Sequence, residues 1–240
     1  MTGRRDLDGG LGLLALAGAG LLCPQMAHDV NNILMAMLGH AHIGLSTRRQ
    51  EKLVRAVETA TESAEELRAM IESLTRISSS SDDDGMALEN LAEAIRPVLR
   101  LLQRPLAKAN VFVHPIQGEA PAVMCHRGSI AAAAGTLLLR ILRECRSAGG
   151  GDLWISLVPS GTFLELRIEA SRKGQPEEPL SAQEAQGEIG EGIAGEVARR
   201  HGGDILQHRT ADRTGYVLRL PVGIRADGDG RVREPQPAHA

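Results

Sequence analysis

His28, Asp29 and Asn32, within Ala27-His28-Asp29-Val30-Asn31-Asn32-Ile33-Leu34, are the residue types from which a phosphoryl carrier can be built. In such chemistry an imidazole nitrogen attacks phosphorus. A neighbouring carboxylate orients or deprotonates the ring, and an amide positions water or phosphate oxygens. On a helix, His28 and Asn32 stand one turn apart on one face. Cys23, Ala27, Val30, Leu34, Met37 and Ala41 alternate steps of four and three residues, which predicts a helix with a coiled-coil seam. That seam puts His28 and Asn32 on the outer side, within reach of a partner. A solvated surface histidine is the plainer reading of the same register.

The elements that must hold this face follow from periodicity. Leu53, Val57, Ala60, Ala64, Leu67, Ile71 and Leu74 keep the same alternation, with Arg55, Glu58, Glu62, Glu65 and Arg68 facing outward. Arg48, Arg49 and Gln50 form a short polar connection, so the two helices are expected to make an antiparallel hairpin. One hairpin cannot bury both stripes, so a homodimeric four-helix bundle is expected rather than packing of the hairpin on its own C-terminal half.

The run from Ser78 to Gly85 is polar and acidic and reads as a linker. Beyond it the pattern is mixed. Leu88, Leu91, Ile95, Leu99 and Leu102 predict a helix around Pro97, Val111 to Val113 a strand, and Ser129 to Arg146 a helix. Asp152 to Val158 and Phe163 to Ala170 predict strands joined at Pro159-Ser160-Gly161. Gly190 to His201 predicts a helix and Gly215 to Val222 a closing strand. The expected organisation is a hairpin over 1–77, a linker over 78–85, an α/β domain over 86–223 and a disordered tail over 224–240. The fold class is α+β.

Composition narrows the function. Of 240 residues, 42% are hydrophobic but only four are aromatic (Phe112, Trp154, Phe163 and Tyr216), too few for base-stacking surfaces. A formal net charge of −3 gives no general attraction to nucleic acid. Cys23, Cys125 and Cys145 lack metal-ligand spacing and point to a reduced, cytoplasmic setting. The apolar run Leu11 to Leu22 is about half the length of a membrane span and leads into the seam, so no membrane partner is expected. His40, His42, His126 and His201 have no supporting acids in a ligand pattern and read as structural or surface residues.

His-Asp-x-Asn-Asn-Ile-Leu, followed by Gly39-His40-Ala41, resembles the phosphoacceptor box of sensor histidine kinases, in particular the His-Asp-Phe-Asn-Asn subgroup. The resemblance implies that His28 is phosphorylated, that Asp29 assists it, and that Asn32 occupies the place linked to phosphatase activity. Leu88 to Val222 resembles the GHKL-class ATP-binding domain of the same kinases. The resemblance is carried by Val123-Met124-Cys125-His126-Arg127, Gly149-Gly150-Gly151 and Arg199-Arg200-His201-Gly202-Gly203-Asp204-Ile205. The family's glutamate base and two asparagines are replaced by Ala131, Thr136 and Arg140. Its adenine-binding aspartate is replaced by Ala170, and Gly187, Gly190, Gly192 and Gly195 are a loose remnant of its glycine loop.

A kept phosphoacceptor helix beside a stripped nucleotide domain resembles the kinase-like histidine phosphotransferases. It implies phosphoryl shuttling between response-regulator receiver domains, or with a hybrid histidine kinase, through His28. No nucleotide or metal cofactor is expected here, the receiver supplying Mg²⁺. A divergent kinase core and a non-catalytic pseudokinase adaptor are the alternatives.

Overall fold

A computed structural model describes residues 2–47, 49–78, 85–172, 192–209 and 213–222. Helices α1 (Thr2–Thr47) and α2 (Gln50–Ser78) form the hairpin. Strand β1 (Ala87–Glu89), helix α3 (Leu91–Lys108) and strands β2 (Val111–Val113) and β3 (Val123–Cys125) follow. Helix α4 (Arg127–Ser147), the β4 (Gly151–Ser160) and β5 (Phe163–Arg172) hairpin, helix α5 (Ile193–Arg200), and strands β6 (Asp204–Arg209) and β7 (Thr214–Pro221) complete the chain. The fold is mixed α+β, two long N-terminal helices followed by an α/β sheet domain.

The main sheet has the order β2-β4-β5-β7-β6, with β2 parallel to β4 and every other pair antiparallel. Strands β1 and β3 pair as a small separate ribbon. Period-2 alternation buries one face of β4, with Leu153, Ile155 and Leu157 inside. Leu164, Leu166 and Ile168 of β5 and Leu218 and Leu220 of β7 join the same core. The chain turns into β4 through Gly149 and Gly150, whose φ values of 76° and 124° exclude most side chains.

The helices start where the sequence supplies caps. Asn90 Oδ1 accepts the Ala92 N–H at 2.9 Å and opens α3, so Leu88 lies in β1 rather than in the helix expected to include it. His126 caps α4 in the same way, its Nδ1 accepting the Ser129 N–H at 3.1 Å.

The hairpin does not stand apart, and here the expectation from the heptads is corrected. Its first helix packs against α4 and α5, and its second against α3 and α4. The buried stripe of α1 is Leu22, Met26, Asp29 and Ile33, one residue before the expected seam of Cys23, Ala27, Val30 and Leu34. One residue is about 100° of helix rotation. The offset repeats in α2, where Ala56, Met70 and Ser73 are buried beside the expected Val57, Ile71 and Leu74. The cause is the small-residue face of α4. Ala131 to Gly135 carry nothing larger than a methyl group, and a Cβ built on Gly18 would meet Ala132 Cβ at 2.3 Å. This close approach turns the Leu22, Met26, Asp29 and Ile33 stripe inward and leaves the expected seam on the outer side. Leu22 reaches Gly135, beside Val98 of α3.

α1 also runs on for 46 residues, well past the Leu11 to Leu22 run. From Gly10 to Thr47 it is long and apolar enough to cross a membrane by length and composition. Leu11, Ala15, Ala19 and Leu22 are nevertheless buried within this chain.

Candidate functional site

Helical geometry brings His28 and Asn32 together as the spacing predicts. Asn32 Nδ2 lies 3.1 Å from His28 Nδ1, and both side chains are exposed. The His28 side chain keeps 63% of its surface open to solvent. Asp29, by contrast, faces inward and is fully buried. Its Oδ1 lies 3.4 Å from His28 Nδ1 and accepts a 2.7 Å hydrogen bond from Lys108 Nζ, at the C-terminal end of α3. Its Oδ2 is buried with no hydrogen-bond partner.

Burial pushes the Asp29 carboxyl up. The hydrogen bonds from Lys108 and His28, the Lys108 charge and a smaller contribution from the Gln25 side chain outweigh burial and hold it below the usual carboxylate range. An ionised Asp29 accepts a proton-bearing nitrogen, so the favoured tautomer has Nδ1–H turned inward. The Nε2 lone pair then points outward without a partner among the described residues. In that tautomer the Asn32 amide presents its oxygen rather than its NH₂ to the ring, since Nδ1 cannot accept while it donates.

A second ion pair accompanies the first. Glu66 of α2 binds Arg104, one turn before Lys108 on α3. A cleft of about 490 Å³ runs beside these pairs, lined by Asp29, Glu66, Met70, Arg100 and Arg104 among others.

The expected nucleotide places lie elsewhere. Ala131 and Ala170 are buried and apolar. Thr136 donates its hydroxyl to the Ala132 carbonyl at 3.0 Å. The Arg140 Nε is 3.9 Å from Glu144 Oε1, and its guanidinium lies 5.8 Å from the Tyr216 ring centre. Thr136, Arg140, Arg143 and Gly192 line a cleft of about 420 Å³, of which Leu21 from α1 forms one wall. Gly187 and Gly190 lie outside the described residues, while Gly192 caps α5 and Gly195 is buried within it.

Two of the set-aside histidines have defined structural roles. His201 Nε2 accepts the His126 N–H at 3.0 Å, and His201 Nδ1 donates to the Val197 carbonyl at 2.6 Å. His40 and His42 are exposed. Among the described residues no group of three or more His, Cys, Asp or Glu side chains is placed to hold a metal ion. The residue that sequence reasoning missed is Lys108. It is 79 positions from Asp29 and reads locally as a cation at a helix C-terminus.

No protein-family model matches the sequence, and a search of curated proteins gives no match. Solved structures with a similar arrangement include the histidine kinase AdeS of Acinetobacter baumannii, with 15% identity, 81% of this chain and 98% of that chain covered, and a TM-score of 0.48. A bacterial phosphotransferase solved at 1.7 Å shares 18% identity, with 84% and 95% covered and a TM-score of 0.47. The histidine kinase ThkA in complex with the response regulator TrrA shares 18% identity, with 87% and 63% covered and a TM-score of 0.44.

Proposed function

We propose that this chain is a histidine phosphotransferase of a two-component phosphorelay, passing a phosphoryl group between receiver aspartates through His28. The observation that carries the reading is the His28 ring itself, with Nδ1 turned to Asp29 and Asn32 and Nε2 open to solvent. In the transfer step the Nε2 lone pair attacks the phosphorus of a receiver's aspartyl-phosphate. The N–P bond forms as the P–O bond to the receiver carboxyl breaks, releasing its carboxylate. The Nδ1 proton stays on the ring, and Asp29 balances the positive charge that develops there. Return to a second aspartate is the reverse sequence.

Residues placed at the nucleotide positions do not fit a magnesium-bound triphosphate, so no step runs through one. Arg140 sets a cation where the family holds its metal, and Arg143 lines the same cleft, with Glu144 engaged by Arg140. Ala170 offers adenine no acceptor, which forfeits a hydrogen bond worth about 1.5–3 kcal/mol. In this reading the divalent ion belongs to the receiver.

The partner surface is the face of α1 around His28, Asn32 and Met35, the last 69% exposed. It offers a small apolar patch with a polar rim. Homodimerisation belongs to the same reading. The expected seam residues Leu34, Leu53, Val57 and Ile71 stay exposed in the single chain, leaving an apolar face that a second hairpin would cover. The packing of Leu11, Ala15, Ala19 and Leu22 within the chain supports a cytoplasmic protein.

The test is the source of the phosphoryl group. Label is expected to enter from phosphorylated receiver domains and to be stable to base and labile to acid. Saturable Mg-ATP binding with labelling from γ-labelled ATP would instead make the chain a kinase.

A further inference from the structure

The phosphoacceptor box is completed by a residue from the other half of the chain. Asp29 Oδ1 is shared between His28 Nδ1 at 3.4 Å and Lys108 Nζ at 2.7 Å, while Oδ2 is buried without a hydrogen bond. A carboxylate removed from water and left with one unsatisfied oxygen stays charged only if an opposite charge is held beside it. Lys108 is the cation in contact with it, and the neighbouring Arg104 is already engaged by Glu66.

From this geometry we propose that Lys108 is a positioning residue for His28, acting through Asp29 to decide which ring nitrogen is nucleophilic. With Lys108 in place, Asp29 remains an acceptor, holds the Nδ1 proton, and leaves the Nε2 lone pair free. Without it, the buried carboxyl takes up a proton and donates it toward Nδ1. The ring then carries its own proton on Nε2, where it blocks attack on phosphorus. The proposal gives the α/β half a task independent of nucleotide: α3 sets the tautomer of a histidine on α1.

The effect on transfer rests on the carrier reading above, whereas the tautomer does not. The experiment therefore measures both in the full chain. Histidine ¹⁵N spectra at about pH 8, above the ordinary imidazole range, give the Nδ1–H to Nε2–H ratio, with His28 assigned by its loss in His28→Gln. Lys108→Met is expected to shift His28 severalfold toward Nε2–H and to slow transfer from a phosphorylated receiver roughly ten- to a hundredfold, by analogy with the loss of an outer-shell partner that orients a metal-bound imidazole. Lys108→Arg is expected to restore both. Should Lys108→Met fail to fold by circular dichroism, Lys108→Gln, which keeps a donor without the charge, carries the same expectation. An unchanged tautomer ratio in a folded neutral variant overturns the proposal, whatever transfer does. A shifted ratio with transfer unchanged supports Lys108 as the positioning residue and contradicts His28 Nε2 as the attacking atom.

Discussion

His201 Nε2 accepts the backbone N–H of His126 at 3.0 Å, tying the start of α4 to the end of α5 in the interior. The ring is buried and cannot fill this role when Nε2 is protonated. Burial, with a smaller repulsion from His126, pushes its pKa down from 6.5 to about 4.

That pairing predicts an acid-sensitive fold. The unfolded chain binds a proton at His201 near pH 6.5 and the folded chain only near pH 4. The contribution is thus complete above pH 6.5 and is lost as pH falls through this window, by about 3 kcal/mol in all. His201→Gln keeps an acceptor and a donor in similar places but does not titrate. Denaturant unfolding between pH 7 and pH 4 should show a shallower decline for the variant, and equal slopes would refute the assignment.

Gly18 and Gly20 provide a matched pair. A methyl group on Gly18 meets Ala132 across the α1–α4 contact, whereas one on Gly20 meets nothing within 4 Å. Gly18→Val should destabilise the fold by about 1–3 kcal/mol. Gly20→Ala should stabilise it by about 0.5–1 kcal/mol through helix propensity. Thermal melts of the two variants check the sign of each. Equal effects would mean that α1 does not lie on α4.

The dimer is tested at Val57, which is 65% exposed in the single chain. Leu67 is a poorer probe because it packs partly against the chain's own core. Val57→Asp should convert a dimer to a folded monomer by placing an unpaired charge in the bundle seam. Light scattering reads the mass and circular dichroism the fold. A wild-type monomer at micromolar concentration would defeat the prediction.

Much of this architecture can be read from residue order. The hairpin turn near Arg49, the helix over Arg127–Ser147 and the β4–β5 hairpin follow from periodicity and turn residues. Strands β1 (Ala-Leu-Glu) and β3 (Val-Met-Cys) escape because, unlike the equally short Val-Phe-Val of β2, they are not a continuous run of β-branched and aromatic residues. The buried stripe of the hairpin escapes for a different reason. Both helices carry apolar residues on two adjacent faces, and a heptad pattern does not say which face meets the same chain. That choice depends on the alanine-rich surface of α4, more than a hundred residues from Gly18 along the chain. The burial of Asp29 is hidden for the same reason, since only the placement of Lys108 against it shows that this carboxylate faces inward. At the site itself, the pairing of His28 with Asn32 was plain from their four-residue spacing.

Phosphoryl groups are expected to pass through His28. The most direct measurement is transfer from a phosphorylated receiver domain to the full chain, comparing wild type with His28→Gln and locating the phosphoryl group by mass spectrometry under neutral conditions. A single phosphohistidine at position 28 is expected in the wild type. No transfer is expected to His28→Gln, whose fold and oligomeric state should be unchanged because the side chain projects into solvent. Phosphorylation of His28→Gln at a rate near that of wild type would contradict a role for His28 as the carrier.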